Sequence, residues 1–208
     1  MAKIDFKKHF KEYYSPSTKK VSFVTVPSFQ YLMIDGKGTP GESEDYKNAI
    51  ETIYPVTYKI MFLNKKTNPD KDYKVMPLEG LWWADDMDDF VRGNKENWIF
   101  TLMIMQPDFI TRDLFEQAKA EVKKKKNIKT IDKLRLMEYE EGLCAQLLHI
   151  GPYSEEGPNI NRIHTEIEAR GGKFDGQDLK HHEIYLSDFR RTDPVKLKTV
   201  LRQPYTEN

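Results

Sequence analysis

The feature that most constrains this chain is a repeated order of elements. Residues 21–83 read strand, Gly/Pro loop, helix, strand, and residues 134–187 read the same way. The stretch Phe29 to Gly36 in the first half plays against Leu143 to Gly151 in the second. Each half ends in a strand with an acidic residue followed by aromatics, Glu79 with Trp82 and Trp83, and Glu183 with Tyr185. Two such halves can pair into one curved antiparallel sheet with helices on one face. The opposite face then becomes a cleft, where ligands commonly bind. The expected class is therefore α+β, with Glu79 and Glu183 at corresponding positions. At 208 residues the chain suits one large domain or two small halves sharing a core.

Local signals fill in the order. Asp5, followed by Phe6 and Phe10 one turn apart, predicts a short N-terminal helix over residues 5–14. Residues 21–35 alternate and are bent at Pro27, and residues 36–41 have too many breakers for anything but a loop. A helix from about Ser43 to Asn64 shows Tyr46, Ile50, Ile53 and Tyr54 at helical spacing, with Pro55 expected to kink it. Residues 73–83 predict a strand, Asp85 to Asp89 a solvated loop, and the apolar run Trp98 to Met105 a central strand. Thr111 can cap a helix stapled by Ile110 and Phe115. Strands at 134–139 and 143–150 are expected to form a hairpin across Glu140, Glu141 and Gly142. Gly157-Pro158 opens a further helix that Gly171-Gly172 ends. The residues from Pro194 on read as a mixed, basic tail.

The chemistry concentrates in Lys180 to Asp188. Alternation puts His182, Ile184 and Leu186 on one face and Glu183, Tyr185 and Ser187 on the other. If the second face is solvent, a carboxylate beside a phenol means nothing. If it floors a cavity, the pair is a site. Composition narrows the rest. Basic and acidic residues balance at 33 each, which argues against a protein built to grip nucleic acid or an anionic membrane. One cysteine, Cys144, excludes an intrachain disulfide and fits a reducing cytosol. The first residues lack the apolar core of a signal peptide, and no run approaches a membrane span, so a soluble cytoplasmic protein is expected. Aromatics make up 12% of the chain, with three Trp and eleven Tyr, enough to line a site for flat ligands as well as fill a core.

Three stretches resemble the GyrI-like small-molecule-binding family: Pro77 to Trp83, His182 to Asp188, and Pro194 to Arg202. The second and third are similar to a stand-alone branch that includes cyclopropanoid cyclopropyl hydrolases. The resemblance implies two strand-helix-strand-strand modules, at about residues 21–105 and 106–190. A helical arm (residues 1–20) would precede them and a tail (191–208) follow. It implies a groove for planar hydrophobic compounds, with the family's buried Glu matched by Glu183. The regulator relatives carry a separate DNA-binding helical domain; with only the 1–20 arm before the first module here, none is expected, hence no direct DNA binding, and no cofactor is expected. Hydrolysis of a strained DNA-alkylating compound, with an aromatic cage, is the activity the resemblance brings. The competing implications are a non-catalytic sequestering protein and a protein-binding, gyrase-inhibitor-like module.

Catalytic roles are thus expected at Glu183 and Tyr185, and ligand contacts at Glu79, Trp82, Trp83, Trp98, Phe100 and Tyr153. Glu79 could instead bond a neighbouring strand. Trp82 and Trp83 point to opposite faces, and alternation groups Trp83 with Glu79. Trp98 and Phe100 are core or cage. The five His residues show no zinc-like spacing, so no metal is expected. Ser187 lacks a nucleophile-elbow context.

Overall fold

Local rules set most element boundaries in the computed structural model, which describes residues 3–207. Two helical turns, α1 (Phe6–His9) and α2 (Lys11–Tyr14), precede β1 (Ser22–Val26) and β2 (Phe29–Lys37). Pro27 falls between the strands, where its missing N–H breaks no ladder. α3 (Glu44–Thr67) begins at Ser43, whose hydroxyl accepts from the Tyr46 N–H, and it carries Pro55 inside. Next come β3 (Leu78–Trp83), α4 (Asp88–Arg92) and β4 (Ile99–Gln106). α5 (Arg112–Lys125) is capped by Thr111. β5 (Arg135–Tyr139), β6 (Gly142–Ile150), α6 (Gly157–Ala169), β7 (His181–Tyr185) and β8 (Lys198–Pro204) complete the chain. The acidic stretch Asp85 to Asp89, which runs into α4, is not simply solvated. Asp89 is buried and accepts from the Asn94 and Asn97 amides. No helix among the described residues is long and apolar enough to cross a membrane.

One antiparallel sheet of eight strands runs in the order β1-β6-β8-β7-β3-β4-β2-β5. It holds strand-helix-strand-strand twice. β2, α3, β3 and β4 give the spatial order β3-β4-β2, and β6, α6, β7 and β8 give β7-β8-β6, with β3 and β7 meeting at the centre. The residues read as a tail include β8, which lies between β6 and β7 and is buried at Val200 and Leu201. The expected hairpin does not form, because β5 pairs with β2 while β6 pairs with β1 and β8. Only Glu140 and Glu141 separate β5 from β6, a reach of about 10 Å. In a flat sheet those strands would stand about 29 Å apart. The sheet therefore curls until its ends approach, and Pro27-Ser28 imposes the same condition on β1 and β2.

Register decides what each surface carries. Glu79 pairs with Ile184, and Gly80 with Glu183, so Glu79 and Glu183 lie on opposite faces. Their expected correspondence is therefore incorrect. Trp82, Phe100, Glu183 and Tyr185 share the outer face of the curl with α3 and α6. Tyr46 of α3 stacks on Trp82, and Ile163 and Ile167 of α6 pack with Leu147 and Leu201. A groove opposite the helices is thus not what Glu183 faces. The inner face is filled by the N-terminal arm and a paired set of charges. Tyr14, 2% exposed, donates to Glu79 Oε1 at 2.8 Å. His182 lies between Glu141 Oε1 at 2.8 Å and Glu79 Oε2 at 3.1 Å. Arg202 donates to Glu141 Oε2 at 2.6 Å, Gln146 Oε1 at 3.1 Å and the Tyr13 carbonyl at 2.7 Å. Two carboxylates meet two cations, which is how buried charge becomes tolerable.

Acidity follows from that pairing. Burial alone would lower His182, but Glu141 and Glu79 outweigh it and hold the imidazolium above its ordinary value. Burial alone would raise Glu141, but His182 and Arg202 bring it down to about 2. A raised native value means that His182's contribution is complete below about pH 6.5 and fades as pH climbs through the native value. Glu141's depressed value gives a contribution complete above 4.5 and lost as pH falls toward 2. His182→Gln should therefore destabilise most below about pH 6.5, and the difference from wild type should shrink at alkaline pH. Denaturant unfolding of both proteins from acid to alkaline pH measures this; a constant difference would show that His182 is not charged. Arg202→Ala should cost about 3–5 kcal/mol, since it strands Glu141.

Candidate functional site

The outer face at the β3–β7 junction gathers the chemistry. Tyr185 donates its hydroxyl proton to Glu183 Oε2 at 2.7 Å and accepts from the Trp82 indole N–H at 3.0 Å. Both bonds fix the phenol. Gly80, directly across from Glu183, makes the relay possible, since a Cβ there would stand 2.7 Å from Trp82 Nε1 and 3.2 Å from the Tyr185 oxygen. The other Glu183 oxygen lies 3.6 Å from His181 Nε2, and the Glu183 side chain retains 16% exposure. Burial first, then the Glu183 charge, holds Tyr185 well above an ordinary phenol, so it remains a donor.

Aromatic walls rise on both sides. Tyr46 lies parallel to Trp82 at 6.4 Å, with Phe100 edge-on to Tyr46 at 5.6 Å. Trp98 is edge-on to Trp82 at 6.1 Å and stacks on Phe90 at 4.3 Å. Tyr153, in the turn before α6, meets Tyr185 edge-on at 5.8 Å and is 39% exposed. Burial and the charges of Glu156 and Glu183 push its hydroxyl up to about 12.

The structure thus brings together Glu183, Tyr185, Trp82, Trp98, Phe100 and Tyr153, with Phe100 fully buried behind the wall. It does not bring in Glu79 or Trp83. Glu79 is spent in the inner ion pairs, and Trp83 shares that inner face, with Lys180 Nζ 4.8 Å from its ring centre. Glu156 is the residue that sequence reasoning missed. It occupies the N-cap of α6, is 4% exposed, and has Oε1 buried without a hydrogen-bond partner. Burial first, and the Glu183 charge second, push its carboxyl up to about 9. Burial and that neighbouring charge both favour keeping the Glu156 proton. The signal was present, because Gly157-Pro158 marks the helix start and so places the preceding side chain where α6 meets the sheet. Among the described residues, no group of three or more His, Cys, Asp or Glu could hold a metal ion. Two carboxyl groups and fixed donors beside aromatic faces can hold a flat ligand and move protons to and from it.

Comparison with known proteins bears on this arrangement. Residues 19–205 match the model of the family described as GyrI-like small molecule binding domain. An uncharacterized conserved protein from Listeria innocua has a similar solved structure. It is 40% identical with a TM-score of 0.89, over 98% of this chain and 100% of that one. A hydrolase from the same organism is 38% identical with a TM-score of 0.85, again over 98% and 100%. The EcmrR C-terminal domain, 11% identical with a TM-score of 0.55 over 91% of this chain and 98% of that one, shares the fold. Among curated proteins nothing matches.

The state of Glu156 is directly measurable. Infrared spectra at neutral pH should contain a protonated-carboxyl band that Glu156→Gln removes and that wild type loses on titration past about 9. A band unaffected by Glu156→Gln would assign the buried proton elsewhere.

Proposed function

Because this chain belongs to the GyrI-like small molecule binding domain family, we propose that it binds planar hydrophobic xenobiotics at the Glu183 cluster. We further propose that it hydrolyses strained cyclopropanoid DNA-alkylating compounds there, as a cytoplasmic detoxifying enzyme. The observation that carries the reading is the Trp82–Tyr185–Glu183 relay beside the buried Glu156 acid. The similarity to a Listeria innocua hydrolase over the full chain supports a hydrolytic reaction.

In a cyclopropane fused to a conjugated dienone, water attacks the exposed ring carbon and the strained carbon–carbon bond breaks. Its electron pair flows to the carbonyl oxygen, which becomes a phenolate. Glu183 takes a proton from the attacking water, a contribution typically worth roughly 10²–10⁴-fold. Tyr185, whose proton is committed to Glu183 Oε2, orients that carboxylate and leaves Oε1 to the water. Glu156 or Tyr153 supplies a proton to the developing phenolate. Transfer of the proton from Glu183 to whichever of the two gave its own then restores the starting state, so the net reaction is addition of one water. Trp82, Trp98 and Tyr46 hold the flat ring in line with the water.

Wild-type protein should convert a cyclopropanoid substrate to its ring-opened alcohol, detected by chromatography and the mass of one added water. Glu183→Gln should lower kcat about 10²-fold or more while affinity stays within about tenfold. Tyr185→Phe should retain binding and lose rate. Binding without product above the buffer control would remove the enzyme reading and leave sequestration. Full turnover by Glu183→Gln would remove the proposed base.

A further inference from the structure

Glu183 stands between two neighbours on its own strand. In β7 the side chains of His181, Glu183 and Tyr185 alternate onto one face, so the carboxyl group has a hydrogen-bonding side chain on either side. The Tyr185 hydroxyl holds Oε2 at 2.7 Å. His181 Nε2 stands 3.6 Å from Oε1, and the His181 and Glu183 side chains are only 13% and 16% exposed. At that separation the contact is not yet a hydrogen bond. Both ring nitrogens of His181 are buried without a hydrogen-bond partner, and a buried N–H left unpaired is costly. Oε1 is the acceptor that stands next to it.

Glu156 has no such pair of donors. Its Oε1 is buried without a partner, and Thr199, the hydroxyl that favours its charged form, makes no hydrogen bond either. The phenols that feel Glu183 from elsewhere are Tyr46 on α3 and Tyr153 in the turn before α6. Burial holds both above their ordinary values, so neither adds a charge. Hydrogen bonds donated to a carboxylate favour its charged form. Of two neighbouring carboxyl groups, the one with donors on both oxygens is the one suited to act as base.

We infer that His181 is a positioning residue for the base. As a ligand closes over the site, His181 donates from Nε2 to Oε1 and completes, with Tyr185, a clamp that aims Glu183 and leaves the proton on Glu156. The inference rests on the catalytic reading proposed for Glu183 and adds the group that selects it over Glu156. The movement needed is small, because Nε2 has to come only about 0.6 Å closer for a bond of ordinary length. Contacts of this kind often tighten only once substrate is bound.

Two measurements on the intact protein test it. The first is turnover of a naphthalenone carrying a spiro-fused cyclopropane, which adds one water to become a (hydroxyethyl)naphthol. His181→Phe keeps a flat ring without a donor. It should lower kcat about tenfold or more with KM within about threefold, the loss expected for one hydrogen bond to a charged group. His181→Gln, whose amide N–H can replace the imidazole N–H, should recover most of that loss. The second measurement needs no substrate. In infrared spectra at neutral pH, Glu183→Gln should leave the protonated-carboxyl band of the wild type in place and remove part of it in the His181→Phe background. Unchanged kcat in His181→Phe, equal losses in both variants, or a band that responds to Glu183→Gln alike in both backgrounds overturns the clamp and leaves Glu183 as the base. Wild type that fails to turn over the probe removes the catalytic reading, and the inference falls with it.

Discussion

Two links of two residues each, Pro27-Ser28 and Glu140-Glu141, hold the sheet in its shape. Each joins strands that lie near opposite ends of the strand order, so the ends must come together. Once the sheet curls, its inner surface is occupied by paired charges and the N-terminal arm. Side chains from distant strands meet there: Glu79 from β3, His182 from β7, Arg202 from β8, and Glu141 from the link itself. The arm carrying Tyr13 and Tyr14 closes over them and contributes a hydroxyl and a carbonyl. Closure, charge pairing and the N-terminal arm are one device.

That device leaves the outer surface for chemistry. α3 and α6 each cover one half of it, and the central pair β3–β7 runs between them. Glu183 and Tyr185 sit on that central pair because it is where the two halves meet. Gly80 matters for the same reason. Only an absent side chain lets the Trp82 N–H reach Tyr185 from the neighbouring strand. Two glutamates one strand apart have consequently different lives. Glu79 is a structural counter-ion with its oxygens taken by Tyr14 and His182, and Glu183 keeps partial access to solvent.

Much of this was legible along the chain, and for stated reasons. Period two in β7 separates Glu183 and Tyr185 from His182 without any knowledge of the fold. Ser43 and Thr111 cap their helices through their own hydroxyls, a contact only three residues long. The doubled order of elements implied two similar units in one antiparallel sheet, and the shared order β3-β4-β2 and β7-β8-β6 is that arrangement. All of these depend on residues close together in sequence.

What only the tertiary structure decided depends on residues far apart. Alternation says which side chains share a face within one strand; it does not say which face meets helices, nor the register between strands a hundred residues apart. The β3–β7 register sets Glu79 against Ile184, and so sends Glu79 and Trp83 inward and brings Trp82 to Glu183. A two-residue link reads as a hairpin until the sheet order shows that it is a corner. Glu156 becomes chemically unusual only when α6 sets it beside Glu183 and away from water. Burial and neighbouring charge belong to the assembled site, and no local pattern encodes them.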